Sequence, residues 1–218
     1  MTTIRHPATV EREGLVWNEA LGRGYYPVQS DGQYDKAYWS RYAGYTGTPA
    51  ERELNLRRVA LVEKHAPGQT VVDIGIGAGH FILARAPHST YGYDVNPRAV
   101  RWLVESGLWF DPWARDPDIV TTWDALEHLS RPEHLVVRVR KLMFVSIPIF
   151  TGLDHILRSK HFRKDEHFVY FTRDGFVAWM GAHGFTLRDE NTMEVDVGRE
   201  DIGTFVFART APQGEVPF

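Results

Sequence analysis

The stretch Val71-Val72-Asp73-Ile74-Gly75-Ile76-Gly77-Ala78-Gly79-His80-Phe81 limits what the rest of this chain can become. An apolar run led by two β-branched residues reads as a buried strand. Three glycines on alternate positions then make a turn that only small residues can make, with a helix expected from about His80. Such a turn lets backbone N–H groups and the positive end of the next helix approach a nucleotide-like ligand.

The 218 residues suffice for one domain with a sizeable core, and 43% hydrophobic with 24% charged residues is ordinary globular composition. A net charge of −3 leaves no basic surplus for gripping a phosphate backbone, which disfavours nucleic acid as a partner. With no cysteine, disulfides, thiolate metal sites and cysteine nucleophiles are excluded. The N-terminus has no apolar core of signal-peptide length and no run approaches a membrane span, so a soluble cytoplasmic protein is expected.

Residues 1–48 read as an N-terminal arm. Val10 to Trp17 is a short hairpin or an irregular segment. Tyr34, Tyr38, Trp39, Tyr42 and Tyr45 then recur at helical spacing. That aromatic stripe either packs the arm onto the main domain or forms a lid, with hydroxyls such as those of Tyr38 and Tyr42 turned to the ligand. The main domain, residues 49–210, opens with a helix from Pro49 to His65, capped by Thr48 and facing Leu54, Leu61 and Val62 inward.

Strands are expected at Thr70–Ile74, Thr90–Val95, Leu108–Phe110 (short), Ile119–Trp123 and Leu142–Ile147. Helices start near His80, Pro97 and Pro132. A polar, His-rich cap insertion covers about 149–171. Thr172 caps a helix that Gly184 closes, and Thr186–Asn191 with Thr204–Arg209 make a final antiparallel pair. Residues 211–218 are a loose tail. The alternation argues an α/β fold of three layers, with a Rossmann-like sheet that is mainly parallel and has an antiparallel C-terminal strand.

Spacing separates two cofactor classes. A nicotinamide fingerprint G-x-G-x-x-G starting at Gly75 needs its third glycine at position 80, which is His80. The actual pattern, Asp73-x-Gly75-x-Gly77-x-Gly79, resembles motif I of class I S-adenosylmethionine-dependent methyltransferases. The resemblance implies that the turn meets the adenosyl and methionyl parts of S-adenosylmethionine and that Asp73 orients the turn or the ammonium group. Tyr91-Gly92-Tyr93-Asp94-Val95-Asn96-Pro97 resembles the end of the family's second strand. There Asp94 would accept both ribose hydroxyls, as an acceptor-only carboxylate can, and Val95 would pack on the adenine.

Asp118 to Leu129 resembles the fourth-strand motif of the branch that includes the ubiquinone-biosynthesis O-methyltransferases, with Trp123 and Asp124 lining the methionyl end. Asp165 to Thr172 and Tyr34 to Tyr42 are similar to the same branch, so the resemblance runs from about Tyr34 to Arg209. The interval from Asp94 to Asp118 is short for the family. Asp111 takes the adenine-side acidic position, its alternative being a turn aspartate before Pro112. Asp124 has an alternative role as an N-cap.

Transfer of a methyl group from a sulfonium requires alignment of the nucleophile, exclusion of water and, for a hydroxyl acceptor, removal of a proton. Histidine titrates in a suitable range. Among His128, His155, His161 and His167, the catalytic candidates are His128, at the sheet's carboxyl edge, and His167, in the insertion. Their alternatives are a loop-fixing hydrogen bond and a packed lid residue. Asp154-His155, His161 and Asp165-Glu166-His167 could together bind a divalent metal. No pair of histidines one helical turn apart is present, so a solvated charged loop is expected there and no metal is assigned.

The segment Thr122-Trp123-Asp124-Ala125 lacks both prolines of the amino-methylating DNA enzymes, and cytosine C5 methylation needs a cysteine. The expectation is an S-adenosylmethionine-dependent methyltransferase acting on a small molecule, at oxygen. The alternatives are a non-catalytic cofactor-binding or regulatory protein of the same fold, and a nucleotide or nucleic-acid methyltransferase.

Overall fold

The computed structural model describes residues 9–27 and 48–210. The aromatic stripe, with Tyr38 and Tyr42, and the tail from 211 lie outside the described residues. In chain order the first elements are strands β1 (Thr9–Arg12), β2 (Leu15–Asn18) and β3 (Arg23–Tyr25), then helix α1 (Pro49–His65), β4 (Val71–Ile74), α2 (His80–Ala84), β5 (Thr90–Tyr93) and α3 (Pro97–Glu105). After β6 (Ile119–Trp123) and a 3₁₀ turn (Leu126–His128) come α4 (Pro132–Val136), β7 (Leu142–Phe150), α5 (Leu153–Arg158), β8 (Val169–Thr172) and α6 (Arg173–Ala182). The chain closes with β9 (Phe185–Asn191), α7 (Met193–Asp196) and β10 (Ile202–Arg209).

The main sheet runs β9-β10-β7-β6-β4-β5, parallel from β7 to β5 and antiparallel at β10 and β9. This is the expected α/β architecture. Alternate residues of each central strand face opposite layers. Val72, Val120, Met143, Val145, Phe205 and Phe207 pack with α4 and α6. Val71, Ile119, Phe144 and Val206 pack with α1, α2 and α7. Burial on both faces explains why the strands read as continuous apolar runs.

Local signals set the helix starts. Thr48 accepts a hydrogen bond from the Glu51 amide (3.2 Å) ahead of Pro49, and Thr172 accepts one from Gly175 (3.0 Å). Each cap of this kind contributes about 1 kcal/mol.

Several details differ from expectation. The short strand at Leu108–Phe110 is reduced to one parallel bridge between Gly92 and Trp109, because the chain turns at Asp111. β7 runs through Pro148 to Phe150, where two residues beyond the reach of β6 find a new partner in β8. β10 begins two residues early, because Ile202 and Gly203 follow this longer β7, pairing with Pro148 and Ile147. β3, α5, β8 and α7 are further elements that the sequence pattern does not lead one to expect.

The arm and the insertion form one small sheet. β1 and β2 are joined by Glu13-Gly14, both at positive φ (50° and 84°), as tight hairpins require. β3 pairs with β2 and with β8, and β8 runs parallel to the end of β7. Leu15, Trp17, Phe150, Ile156 and Tyr170 form its own core. A Cβ at Gly175 would stand 2.1 Å from the Gly22 carbonyl oxygen, so only glycine lets α6 approach the arm this closely.

Candidate functional site

β4, β5, β6 and β7 all end on one edge of the sheet, the edge where open α/β folds bind ligands. The turn after β4 carries Gly75, Gly77 and Gly79, with φ of 77°, 53° and 78°. A Cβ on Gly75 would lie 2.6 Å from the Ala125 Cβ, so the turn is seated against the loop after β6. At Gly77 the same Cβ would meet nothing within 4 Å, so the turn presents bare backbone to open space.

Asp94, at the end of β5, accepts hydrogen bonds from the Gly77 amide (3.2 Å) and the Asn96 amide (2.8 Å). Burial raises its pKa, and those amides oppose the shift. Val95 beside it is 53% exposed, an apolar side chain beside the turn that nothing covers. Asp73 lies within the sheet, its Oδ1 taking the Thr121 hydroxyl at 2.7 Å. Burial pushes its pKa up to about 7, against the Thr121 bond and the charge of Arg58. Asp111 is exposed and accepts the Trp113 and Ala114 amides (2.8 and 3.3 Å), closing the turn before residue 115.

The loop after β6 is held by ions. Trp123 is buried edge-on against Phe81 with the Arg58 guanidinium 5.0 Å over its ring, and its indole N–H has no hydrogen-bond partner. Asp124 (φ 54°) donates its amide to Ser146 O, and its Oδ2 accepts from Arg199 (2.6 Å) and Arg58 (3.3 Å). Burial alone would raise the Asp124 pKa, but the two guanidiniums prevail and hold it below the usual range. Both arginines also meet the fully buried Glu194 at 2.6 Å, and Ser146 donates to Glu194 at 3.0 Å. Sequence reading missed Arg58, Glu194 and Arg199. Their separations along the chain leave no local pattern, and the one available signal was an arginine among the inward-facing residues of α1.

Past Asp124, the Phe168 amide donates to the Glu127 carbonyl (2.8 Å) and brings the cap against the 3₁₀ turn. His128 and His167 meet edge to face, ring centroids 4.6 Å apart. Burial lowers both imidazoles, His128 to about 4 and His167 well below the usual value, so both are neutral at neutral pH. Glu127 is 1% exposed, and its Oε2 has no hydrogen-bond partner. An orphaned buried acceptor of this kind costs about 1–3 kcal/mol. Burial, then the charge of Asp124, raises its pKa well above the ordinary one.

The histidines of the insertion do not assemble as one group. His155 approaches Asp201 (3.3 Å) and His161 reaches the Glu200 carbonyl (3.0 Å). Only His167 joins the sheet edge.

A nucleoside-bearing cofactor fits this edge, with bare glycine backbone beside an acceptor carboxylate and an exposed apolar side chain. A family model described as a methyltransferase domain matches residues 48–190. No curated protein matches in sequence. Among solved structures, magnesium protoporphyrin IX methyltransferase of Synechocystis PCC 6803, with bound S-adenosylhomocysteine, is similar at 14% identity and TM-score 0.56, over 81% of this chain and 96% of that one. A chain of the Haloferax volcanii complex between the Trm112 methyltransferase activator and a methyltransferase is similar at 16% identity and TM-score 0.58, over 82% and 97%. A S-adenosylmethionine-dependent methyltransferase from Clostridium acetobutylicum ATCC 824 is similar at 11% identity and TM-score 0.55, over 80% and 100%. At these identities the structural likeness establishes the fold.

Proposed function

The chain belongs to the class I S-adenosylmethionine-dependent methyltransferases, and we propose that it methylates a small-molecule acceptor at a hydroxyl oxygen. The observation that carries this reading is the meeting of His128 and His167, two neutral imidazoles, at the same sheet edge as the glycine turn and Asp94. Asp94 would take the ribose, the backbone of Gly75 to Gly79 the methionyl part, and Val95 the adenine. Bound there, the cofactor supplies an activated methyl group on sulfonium sulfur. As the acceptor oxygen took that methyl group, its hydroxyl proton would leave to a neutral imidazole. His128 and His167 orient the acceptor and take that proton, while the cap strands keep water out.

The nearer placement, with the ubiquinone-type O-methyltransferases, rests on the sequence resemblance at Asp118–Leu129 and Asp165–Thr172. The small-molecule reading has support in the names of structural neighbours, among them a mitomycin 7-O-methyltransferase. The net charge of −3 supports it too. The test is a screen of hydroxylated, aminated and nucleic-acid acceptors, following S-adenosylhomocysteine release. Methyl ethers formed by the wild type, with turnover cut by His128→Gln or His167→Gln, are expected. Turnover on amines or polynucleotides alone would overturn the choice of acceptor.

A further inference from the structure

We propose that the turn from Gly198 to Asp201, between α7 and β10, ties the cap to the loop after β6, with Arg199 and Asp201 as positioning residues for the cofactor. Arg199 reaches inward, and its guanidinium donates to Asp124 Oδ2 and to Glu194 at 2.6 Å each. Asp201 reaches the other way. Its Oδ2 accepts from Ser159 (3.2 Å) and lies 3.3 Å from His155 Nε2, while its carbonyl accepts the Ile149 amide at 2.7 Å. Between them, the Glu200 carbonyl accepts from the buried ring of His161 at 3.0 Å.

The tautomer of His155 follows from its neighbours. A backbone amide can only donate, and the Thr151 amide donates to His155 Nδ1 (3.1 Å), so Nε2 carries the proton offered to Asp201. The end of β7, helix α5 and the segment after it are therefore all fastened to residues 200 and 201. Residue 199 holds the loop that follows β6.

The turn has a set shape. Gly198 and Asp201 bracket it at φ of 89° and 61°, a left-handed backbone that glycine and aspartate tolerate better than most residues. Asp124, at the far end of the Arg199 contact, is left-handed as well (φ 54°). Arg199 stands nearer to it than Arg58 does, at 2.6 Å against 3.3 Å. The next residue, Ala125, is the seat of Gly75, where an added Cβ would come within 2.6 Å. The position of the cap is thus passed, through one turn of chain, to the residues that shape the glycine turn. Glu194 is fully buried, so this contact is little screened by solvent or salt. These roles rest on the cofactor lying at this edge, as proposed above.

The experiment is calorimetry of S-adenosylhomocysteine with the full-length protein and its variants. Asp201→Gly removes the side chain without straining a left-handed position. It should weaken binding at least about fivefold, although Asp201 touches none of the groups assigned to the cofactor. Asp201→Asn keeps an acceptor oxygen and a residue that tolerates this backbone, and should hold binding within about twofold of the wild type. In Arg199→Gln binding should already be weak, and adding Asp201→Gly should change it by less than about twofold, as expected of residues acting through one link. Arg12→Ala breaks an exposed pair with Asp154 on the same helix α5 and should leave the affinity unchanged. Full affinity in Asp201→Gly, or additive losses in the double variant, overturns the proposal. Where circular dichroism shows that Arg199→Gln does not fold, the contrast between Asp201→Gly and Asp201→Asn decides. Wild-type protein that binds no S-adenosylhomocysteine overturns the cofactor placement and this link together. Wild-type binding that is lost in Asp94→Ala but kept in Asp201→Gly overturns the link alone.

Discussion

The Gly77 amide donates to the Asp94 carboxylate across 3.2 Å, so the glycine turn after β4 is fastened to the end of β5. The same carboxylate is the group proposed to receive the ribose. Asp94→Ala should weaken S-adenosylhomocysteine binding by more than about tenfold, since it removes the acceptor and loosens the turn together. Isothermal titration calorimetry measures this. An unchanged affinity would remove Asp94 from the cofactor site.

Two glycines of the turn should respond differently to alanine. Gly75→Ala combines a positive φ of 77° with a Cβ 2.6 Å from Ala125, and should cost about 2–4 kcal/mol. Gly77→Ala meets only the φ of 53° and should cost about 1 kcal/mol. Urea unfolding of both variants checks the order. Equal losses would mean that the turn is not seated on the loop after β6.

Arg58 lies at the centre of the buried ion group. Its removal leaves the fully buried Glu194 with Arg199 as the one remaining guanidinium, so Arg58→Ala should destabilise by about 3 kcal/mol. Arg57, one residue away, makes only exposed pairs with Glu53 and Asp196, and Arg57→Ala should change stability by less than about 1 kcal/mol. Comparable losses in thermal unfolding would contradict the network.

The imidazole of His128 gives a pH dependence with a definite sign. Its folded pKa, about 4, lies below the ordinary 6.5, so the unfolded chain binds the extra proton first. The stabilisation is present above about pH 6.5 and is lost as pH falls toward 4, by at most about 3 kcal/mol. Asp73 and Glu127, with raised pKa values, act in the opposite direction over part of this range. The comparison to make is therefore wild type against His128→Gln. The stability difference should shift toward the variant between pH 6.5 and 4, and a constant difference would show that His128 is solvated.

The sheet was legible because each central strand carries its own evidence, in β-branched or apolar runs bounded by glycine, proline or a capping residue. Thr48 and Thr172 cap as their positions imply. The glycine turn was legible for the same reason, since positive φ at alternate positions demands glycine. Other features were hidden by their range. α1 buries Asn55 and Arg58 beside Leu54, Leu61 and Val62, so its inward face is not purely apolar. The partner of Arg58 lies 136 residues away. Glu127 stood in a recognisable segment, but that one of its carboxylate oxygens is buried without a hydrogen-bond partner depends on the cap, whose fold leaves no periodic trace.

β3 and β8 join parts of the chain made far apart in time. The Thr172 hydroxyl and the Gly22 carbonyl it reaches are 150 positions apart. At about 5–20 residues per second, synthesis of that interval takes roughly 8–30 s. The β1–β2 hairpin, emerging well ahead of β8, is marginal without further strands. The cap beside His128 and His167 therefore closes only after β8 has followed the hairpin out, with the main sheet between them already made.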